Sequence, residues 1–271
     1  MLNVEIVVIG NELLLGMVQD TNSNYLCRML RGMGGRVRHV AIVRDEADAI
    51  ADEIRAALAR PTGLLFTCGG LGPTDDDLTL AAIAQALGRQ VEINPDARAF
   101  VERRYAELAA QGHVSSAAMT EARLKMARLP AGARIIDNPI GAAPAVVVMA
   151  GAARTVALPG VPAELKAIVE GPLQPLLKEL FGRGSYRERE VLVECGDESR
   201  LAPALRQVVA AHPEVYIKSR ASHFGREVIF RITLSASAES GEAAERIIVA
   251  ASDDLTRTFA QAGIRQTGRQ P

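Results

Sequence analysis

Thr67-Cys68-Gly69-Gly70-Leu71-Gly72-Pro73-Thr74-Asp75-Asp76-Asp77-Leu78-Thr79 is the stretch on which the reading of this chain turns. Ahead of it, Gly63-Leu64-Leu65-Phe66 is a short apolar run with the character of a buried strand. Behind it, Leu78, Leu80, Ile83 and Leu87 recur at helical spacing, and Gly88 follows as a stop signal. Three glycines therefore sit at a strand-to-helix junction, with three acids at the expected helix start. Gly69, Gly70 and Gly72 can adopt positive φ and let backbone amides approach a ligand closely. A helix N-terminus adds unpaired N–H donors and partial positive charge, which together favour a phosphate group. Asp75, Asp76 and Asp77 would repel a bare phosphate. They fit helix caps, ligands of a hard divalent cation bridging to phosphate, or both.

The chain on either side repeats one alternation. Val4–Ile9 is an unbroken β-rich run, expected to be a strand covered on both faces. The glycine-bracketed loop Gly10–Gly16 follows it. Asp20-Thr21-Asn22 then offers capping residues for a helix carrying Tyr25, Leu26, Met29, Leu30 and Met33. Val37, Val40, Ile42 and Val43 mark a second strand, and Arg44-Asp45-Glu46 turns into a helix with Ile50, Ile54, Ala57 and Leu58 inward. Strand and helix alternating in this way predict right-handed βαβ crossovers and a mostly parallel sheet. Ligands bind at the carboxyl ends of such strands. Gly10–Gly16, Arg44–Glu46 and Cys68–Asp77 all fall there.

Beyond the loop, Pro95–Gly112 reads as a helix and Ser115–Leu129 as another, closed by Pro130; Arg123, Lys125 and Arg128 are candidate cationic partners for the ligand, or simply a solvated face. Ala145–Met149 and Thr155–Leu158 form strands joined by a turn at Gly151-Ala152-Ala153, and the stretch Pro159–Glu164 opens a last helix through Leu165, Ile168 and Leu173. Phe181–Ser185 reads as a linker. After it come the strand Glu190–Cys195, a helix marked by Leu201, Leu205, Val208 and Val209, strands at Val215–Lys218 and Glu227–Leu234, the latter alternating Val228, Phe230, Ile232 and Leu234 on one face, and a helix Ala243–Phe259. The expected organisation is a three-layer α/β domain over residues 1–180 and a small α+β domain over 186–265.

The totals exclude several classes. In 271 residues, 48% are hydrophobic, enough for a sizeable core, and the net charge is −1. No global field recruits nucleic acid or an anionic membrane. Apolar runs fall far short of the roughly 18 residues a bilayer requires, and a strand begins at once with no signal peptide ahead of it. Three scattered cysteines and four scattered histidines form no disulfide framework, zinc pattern or Ser-His-Asp set, and fit a reducing cytoplasm.

The glycine stretch resembles the signature of the CinA (competence/damage-inducible protein) N-terminal domain, part of the wider MoaB/Mog molybdopterin-binding fold. Gly10–Gly16 with Asp20-Thr21-Asn22, Val43–Glu46, Gly141-Ala142-Ala143-Pro144 and Leu158–Glu164 extend the resemblance over residues 3–175, and the tail is similar to the family's KH-type domain. There are departures. Asp75 stands where relatives often carry His. Gly141-Ala142-Ala143-Pro144-Ala145 replaces a G-T-A-P-G pattern, and the tail has no G-x-x-G loop of the kind that clamps RNA. No stretch is similar to the family's amidohydrolase-like domain, so deamidase activity is not implied.

The resemblance implies one of two chemistries. One is divalent-metal-dependent hydrolysis of ADP-ribose or a similar substrate, ADP-ribose giving AMP and ribose 5-phosphate, with Mg²⁺, Mn²⁺ or Co²⁺. The other is binding of molybdopterin without hydrolysis. Either would place phosphate on Gly69, Gly70, Leu71, Gly72, Pro73 and Thr74, with Gly141 and Pro144 nearby. Asp45 and Asp77 match the acidic positions linked to metal and catalysis, as cation ligands or general base. Asp76 is a further metal ligand and Glu12 a further carboxylate able to accept a ribose or pterin hydrogen bond. A homo-oligomer is implied at family level. The tail holds 13 Lys/Arg against 12 Asp/Glu from Arg183 onward, so it lacks a nucleic-acid footprint. Filter binding over a salt series is expected to show no steeply salt-dependent RNA retention.

Overall fold

The computed structural model describes residues 2–182, 185–195, 197–221 and 229–270. The chain divides into two compact units, Met1–Leu30 with Gly35–Leu180, and Arg31–Gly34 with Phe181–Pro271. Of the sequence expectations, Arg183 and Gly184 of the linker and Glu227 and Val228 at the head of a strand lie outside the described residues.

The first unit runs β1 (Asn3–Ile9), α1 (Asn11–Leu14), α2 (Asn22–Gly32), β2 (Arg36–Val43), α3 (Ala47–Ala59), β3 (Leu64–Cys68) and α4 (Thr79–Leu87). It continues with β4 (Val91–Ile93), α5 (Pro95–Ala110), α6 (Glu121–Lys125), β5 (Arg128–Pro130), β6 (Arg134–Ile136), β7 (Ala145–Ala150), β8 (Ala153–Leu158), α7 (Pro162–Glu170) and α8 (Gln174–Phe181). Its central sheet has the order β2-β1-β3-β8-β7-β6. The first four strands are parallel, and β7 runs antiparallel to both of its neighbours. The mostly parallel α/β architecture expected from the sequence is the one observed.

The period-two alternation of the strands explains the layers. Val7, Ile9 and Leu65 join Ile50, Ile54, Ile83 and Phe100 of α3, α4 and α5 in one core. Ile6, Val8, Leu64 and Phe66, with side chains on the opposite face, are equally buried. After β2 the chain crosses back past β1 to lay down β3, so right-handed crossovers put α2 and α3 on opposite faces. That reversal opens a crevice at the carboxyl ends of β1 and β3.

Several elements differ from expectation. Gly10–Gly16 is not purely a loop but contains the one-turn α1. The expected helix Ser115–Leu129 shrinks to α6, whose start is set by Thr120 accepting from the Arg123 amide at 3.3 Å. Its end instead pairs as β5 with β4, with Pro130 opposite Val91 on this short two-stranded sheet. The last helix is broken at Gly171 into α7 and α8. The short strands β4 and β6 carry too few residues to show a period.

The second unit contains β9 (Ser185–Glu194), α9 (Ala202–Ala211), β10 (Tyr216–Ala221), β11 (Ile229–Ala238), α10 (Gly241–Gln261) and β12 (Arg265–Gln270). Its antiparallel sheet has the order β10-β11-β9-β12. Phe230, Ile232 and Leu234 alternate onto Val208, Ile248, Leu255 and Phe259, as the strand pattern predicts. Ser240 caps α10, accepting a hydrogen bond from the Ala243 amide at 3.2 Å. Among the described residues no helix is long and apolar enough to cross a membrane.

One charge interrupts the first core. Glu5, inside β1, is 1% exposed, and Arg60 beyond α3 donates to its Oε2 from Nε at 3.0 Å and from Nη2 at 2.9 Å. Removing only the cation strands a buried carboxylate. Arg60→Ala is expected to cost about 3 kcal/mol in urea denaturation, and Glu5→Gln added to it to recover part of that loss.

Candidate functional site

The parallel strands end together. The Gly10 amide donates to Val43 O at 3.2 Å and the Gly69 amide to Leu158 O at 3.0 Å. The loops after β1, β2, β3 and β8 are thereby gathered along one edge. Gly69 has φ 110° and Gly70 has φ 67°, both in the region that favours glycine. A Cβ on Gly69 would lie 2.3 Å from the Ile9 carbonyl oxygen, and one on Gly70 would lie 2.3 Å from Thr79 Oγ1. The Thr79 hydroxyl, fully buried, donates to Gly69 O at 2.7 Å, and its amide donates to Gly70 O at 3.2 Å. Those two bonds set the start of α4 at Thr79, directly under the glycines.

Asp75, Asp76 and Asp77 are consequently not caps of α4. Leu78 occupies its N-cap position and makes no side-chain bond there. Asp77 instead closes its own turn, accepting from the Thr74 amide at 2.8 Å and the Thr74 hydroxyl at 2.6 Å. A side-chain hydrogen bond from Thr74, first among its causes, holds the Asp76 carboxyl below the ordinary carboxylate range. Asp45, after β2, accepts from the Asn11 amide at 2.7 Å and so holds the first turn of α1.

Above these loops lies a cavity of about 600 Å³, within the range of small-molecule sites. It takes in Glu12, Asp45, Gly69, Gly70, Leu71, Gly72, Pro73, Asp76 and Asp77 from the expected site. Thr74, Gly141 and Pro144 are set back from it. Thr74 supports Asp77, Pro144 is buried, and it is Ala142 and Ala143 that reach the wall. The amides of Gly70, Leu71 and Gly72 donate to no acceptor among the described residues.

The candidate cations are used elsewhere. Arg123 stacks 3.8 Å from the centroid of the Tyr105 ring and donates to Ser116 O and Ala118 O. Lys125 donates to Thr74 O, and Arg128 pairs with Glu121 at 3.0 Å. None of the three lines the cavity, whose wall carries five carboxylates and neither Lys nor Arg. Three or more His, Cys, Asp or Glu side chains able to hold a metal ion by themselves do not occur among the described residues. Hard oxygen donors beside unspent amides fit a Mg²⁺-like cation that takes one or two carboxylates and completes its shell with ligand phosphate and water.

Sequence reasoning did not select Tyr105, Met126, Asn138 or Glu164. Tyr105 and Met126 arrive from α5 and the segment after α6, far from any motif. Glu164 stood in a quoted stretch, yet as the third residue of a helix it had no visible ligand signal.

Residues 5–179 match the family described as "Probable molybdopterin binding domain". The chain belongs to that family. Among curated relatives, Protein PAE0875 of Pyrobaculum aerophilum is 39% identical over 251 residues, covering 92% of this chain and 91% of its own. A protein of Aeropyrum pernix is 38% identical over 260 residues, covering 95% and 94%. Among solved structures, the protein CinA of Thermoplasma acidophilum, described as of unknown function, superimposes with a TM-score of 0.58 at 33% identity. That match covers 65% of this chain and 98% of the other.

The glycine geometry yields a paired expectation. Gly69→Ala adds a Cβ against fixed backbone at positive φ and is expected to cost about 2–4 kcal/mol. Gly16 has φ 70° with open space around it, so Gly16→Ala should cost only about 1–2 kcal/mol. Thermal denaturation of the two variants side by side measures the difference.

Proposed function

We propose that this protein binds a phosphorylated small molecule of the molybdopterin class, its phosphate over the amides of Gly70, Leu71 and Gly72. A divalent cation, Mg²⁺, Mn²⁺ or Co²⁺, would be held by one or two of Asp45, Asp76 and Asp77 and would supply countercharge to that phosphate. The observation that carries this reading is the electrostatic make-up of the cavity: unspent donor amides and five carboxylates, with no Lys or Arg among the described residues of its wall and Lys125 set beside it on Thr74 O. A phosphate alone would be repelled there, whereas a phosphate with its cation is neutralised from both directions. Membership of the molybdopterin-binding family supports the pterin class.

A second reading adds hydrolysis of a pyrophosphate bond, with ADP-ribose yielding AMP and ribose 5-phosphate. It is favoured by the way Asp45 and Asp77 are held. Each has one oxygen fixed, by the Asn11 amide and by Thr74 respectively, and each lines the cavity. The remaining oxygen of either can orient a water molecule and take its proton as general base. The cation, when bound, supplies charge neutralisation at the phosphate. Gly70, Leu71 and Gly72 would hold the phosphoryl oxygens in place meanwhile. A homo-oligomer and a KH-type, non-RNA-binding tail complete the proposal, the first open to light scattering.

Purified protein incubated with ADP-ribose and each cation, with AMP followed by chromatography, tests the pair. AMP formation lost in Asp77→Asn and in EDTA is the outcome expected of the hydrolytic reading. No AMP together with cation-dependent binding of a pterin phosphate leaves the first reading alone. Binding of neither class at millimolar concentration overturns both.

A further inference from the structure

Asn138 is 2% exposed, and every hydrogen-bonding position of its side chain is spent. Its Oδ1 accepts from the Ile140 amide at 3.1 Å and the Gly141 amide at 2.8 Å. Its Nδ2 donates to Ala143 O at 2.9 Å and to Glu164 Oε2 at 2.7 Å. An amide with four such partners has one orientation and nothing left for a ligand. It delivers its last donor to a carboxylate that lines the cavity.

Glu164 is held from a second side. A Cβ on Gly141 would fall 1.9 Å from Glu164 Oε2 and 2.6 Å from Asn138 Nδ2, so the carboxylate lies directly against the Gly141 backbone and a side chain there would displace it. Arg104 secures that backbone in turn, donating from Nε to Gly141 O at 3.0 Å and also to Ile140 O. As the third residue of α7, Glu164 has the position from which a capping glutamate reaches back to the N-cap amide. No such bond is made among the described residues, and the side chain is committed to Asn138 instead.

An ionised carboxylate only accepts hydrogen bonds, and it repels phosphate. Its counterpart on the ligand is therefore a group with donors, distinct from the phosphate end. Fixed on both sides, it suits a rigid pair of N–H groups in one plane better than rotating hydroxyls. The same cavity has Tyr105, Leu71 and Met126 in its wall, which supply apolar and aromatic surface for a flat ring. We propose that Glu164, positioned by Asn138, reads the adjacent ring N–H and amino group of a 2-amino-4-oxopyrimidine, the edge shared by pterins and guanine. This rests on the phosphorylated-ligand reading above and names the part of the ligand opposite its phosphate.

Calorimetric titration with neopterin triphosphate, GTP, ITP, ATP and inorganic tripolyphosphate, all with Mg²⁺, tests it. Neopterin triphosphate or GTP is expected to bind the wild type about tenfold or more tighter than ATP, which lacks the edge, with ITP between them. The tighter of the first two identifies the source of the edge. Glu164→Gln is expected to bring the ratio to ATP down to about one, because its amide presents donors to donors. Glu164→Asp keeps the charge but shortens the reach and should lose the ratio as well, which covers a glutamine variant that fails to fold. Asn138→Ala should collapse the ratio too; a purely structural role would weaken GTP and ATP alike and leave it intact. Wild type that binds tripolyphosphate but does not discriminate among the bases, or a folded Glu164→Gln that still discriminates, overturns this inference alone. Absence of tripolyphosphate binding by the wild type overturns the phosphate reading beneath it.

Discussion

The approach of Gly69 to the Ile9 carbonyl, too near to admit a Cβ, is the contact on which the rest depends. A parallel sheet whose order of strand addition reverses between β1 and β3 leaves a crevice there, but a crevice alone binds nothing. Because Gly69 and Gly70 carry no Cβ, the loop can fold down onto the end of β1 while Thr79 ties it from below. The consequence is a line of amides, Gly70 to Gly72, whose hydrogen-bonding capacity is not consumed by secondary structure. Buried or half-buried amides without acceptors cost free energy, and a fold that keeps three together reserves them for something else.

The acidic loops make sense only in that light. Asp45, Asp76, Asp77, Glu12 and Glu164 around one cavity would destabilise one another and reject any anion unless a cation were shared between them and the ligand. Their local hydrogen bonds set orientation rather than balance of charge: Asn11 to Asp45 and Thr74 to Asp77 each fix one oxygen. Glu164 differs from the others in being held by a saturated, buried amide. On the reading proposed above, the amide loop would take phosphate with its countercharge, and Glu164 a neutral ring with donors.

The second unit stands on its own core, built by Val191, Val193, Phe230 and Ile232 against α9 and α10. From Arg183 onward its 13 Lys/Arg nearly balance 12 Asp/Glu. Arg60 shows the same economy in the first unit. A buried Glu5 is tolerated because a single guanidinium reaches it at two points.

By itself the sequence determined the strand-helix alternation, the parallel sheet and the glycine loop as its ligand-facing corner, because those depend on residue period and on φ values open only to glycine. It also placed Asp45 and Asp77 at strand ends, which in a parallel sheet means one edge of the molecule. Tertiary structure decided what the acids do: whether Asp77 caps α4 or closes a turn with Thr74 depends on where Thr79 is pinned, and that pin comes from a carbonyl ten residues away. It alone decided that Arg123, Lys125 and Arg128 turn to Tyr105, Thr74 and Glu121 rather than to the ligand. Asn138 and Glu164 lie 26 residues apart, and nothing in either stretch of sequence marks the one as partner of the other. Their pairing is a product of packing across two loops, which local patterns of hydrophobicity and turn chemistry do not encode.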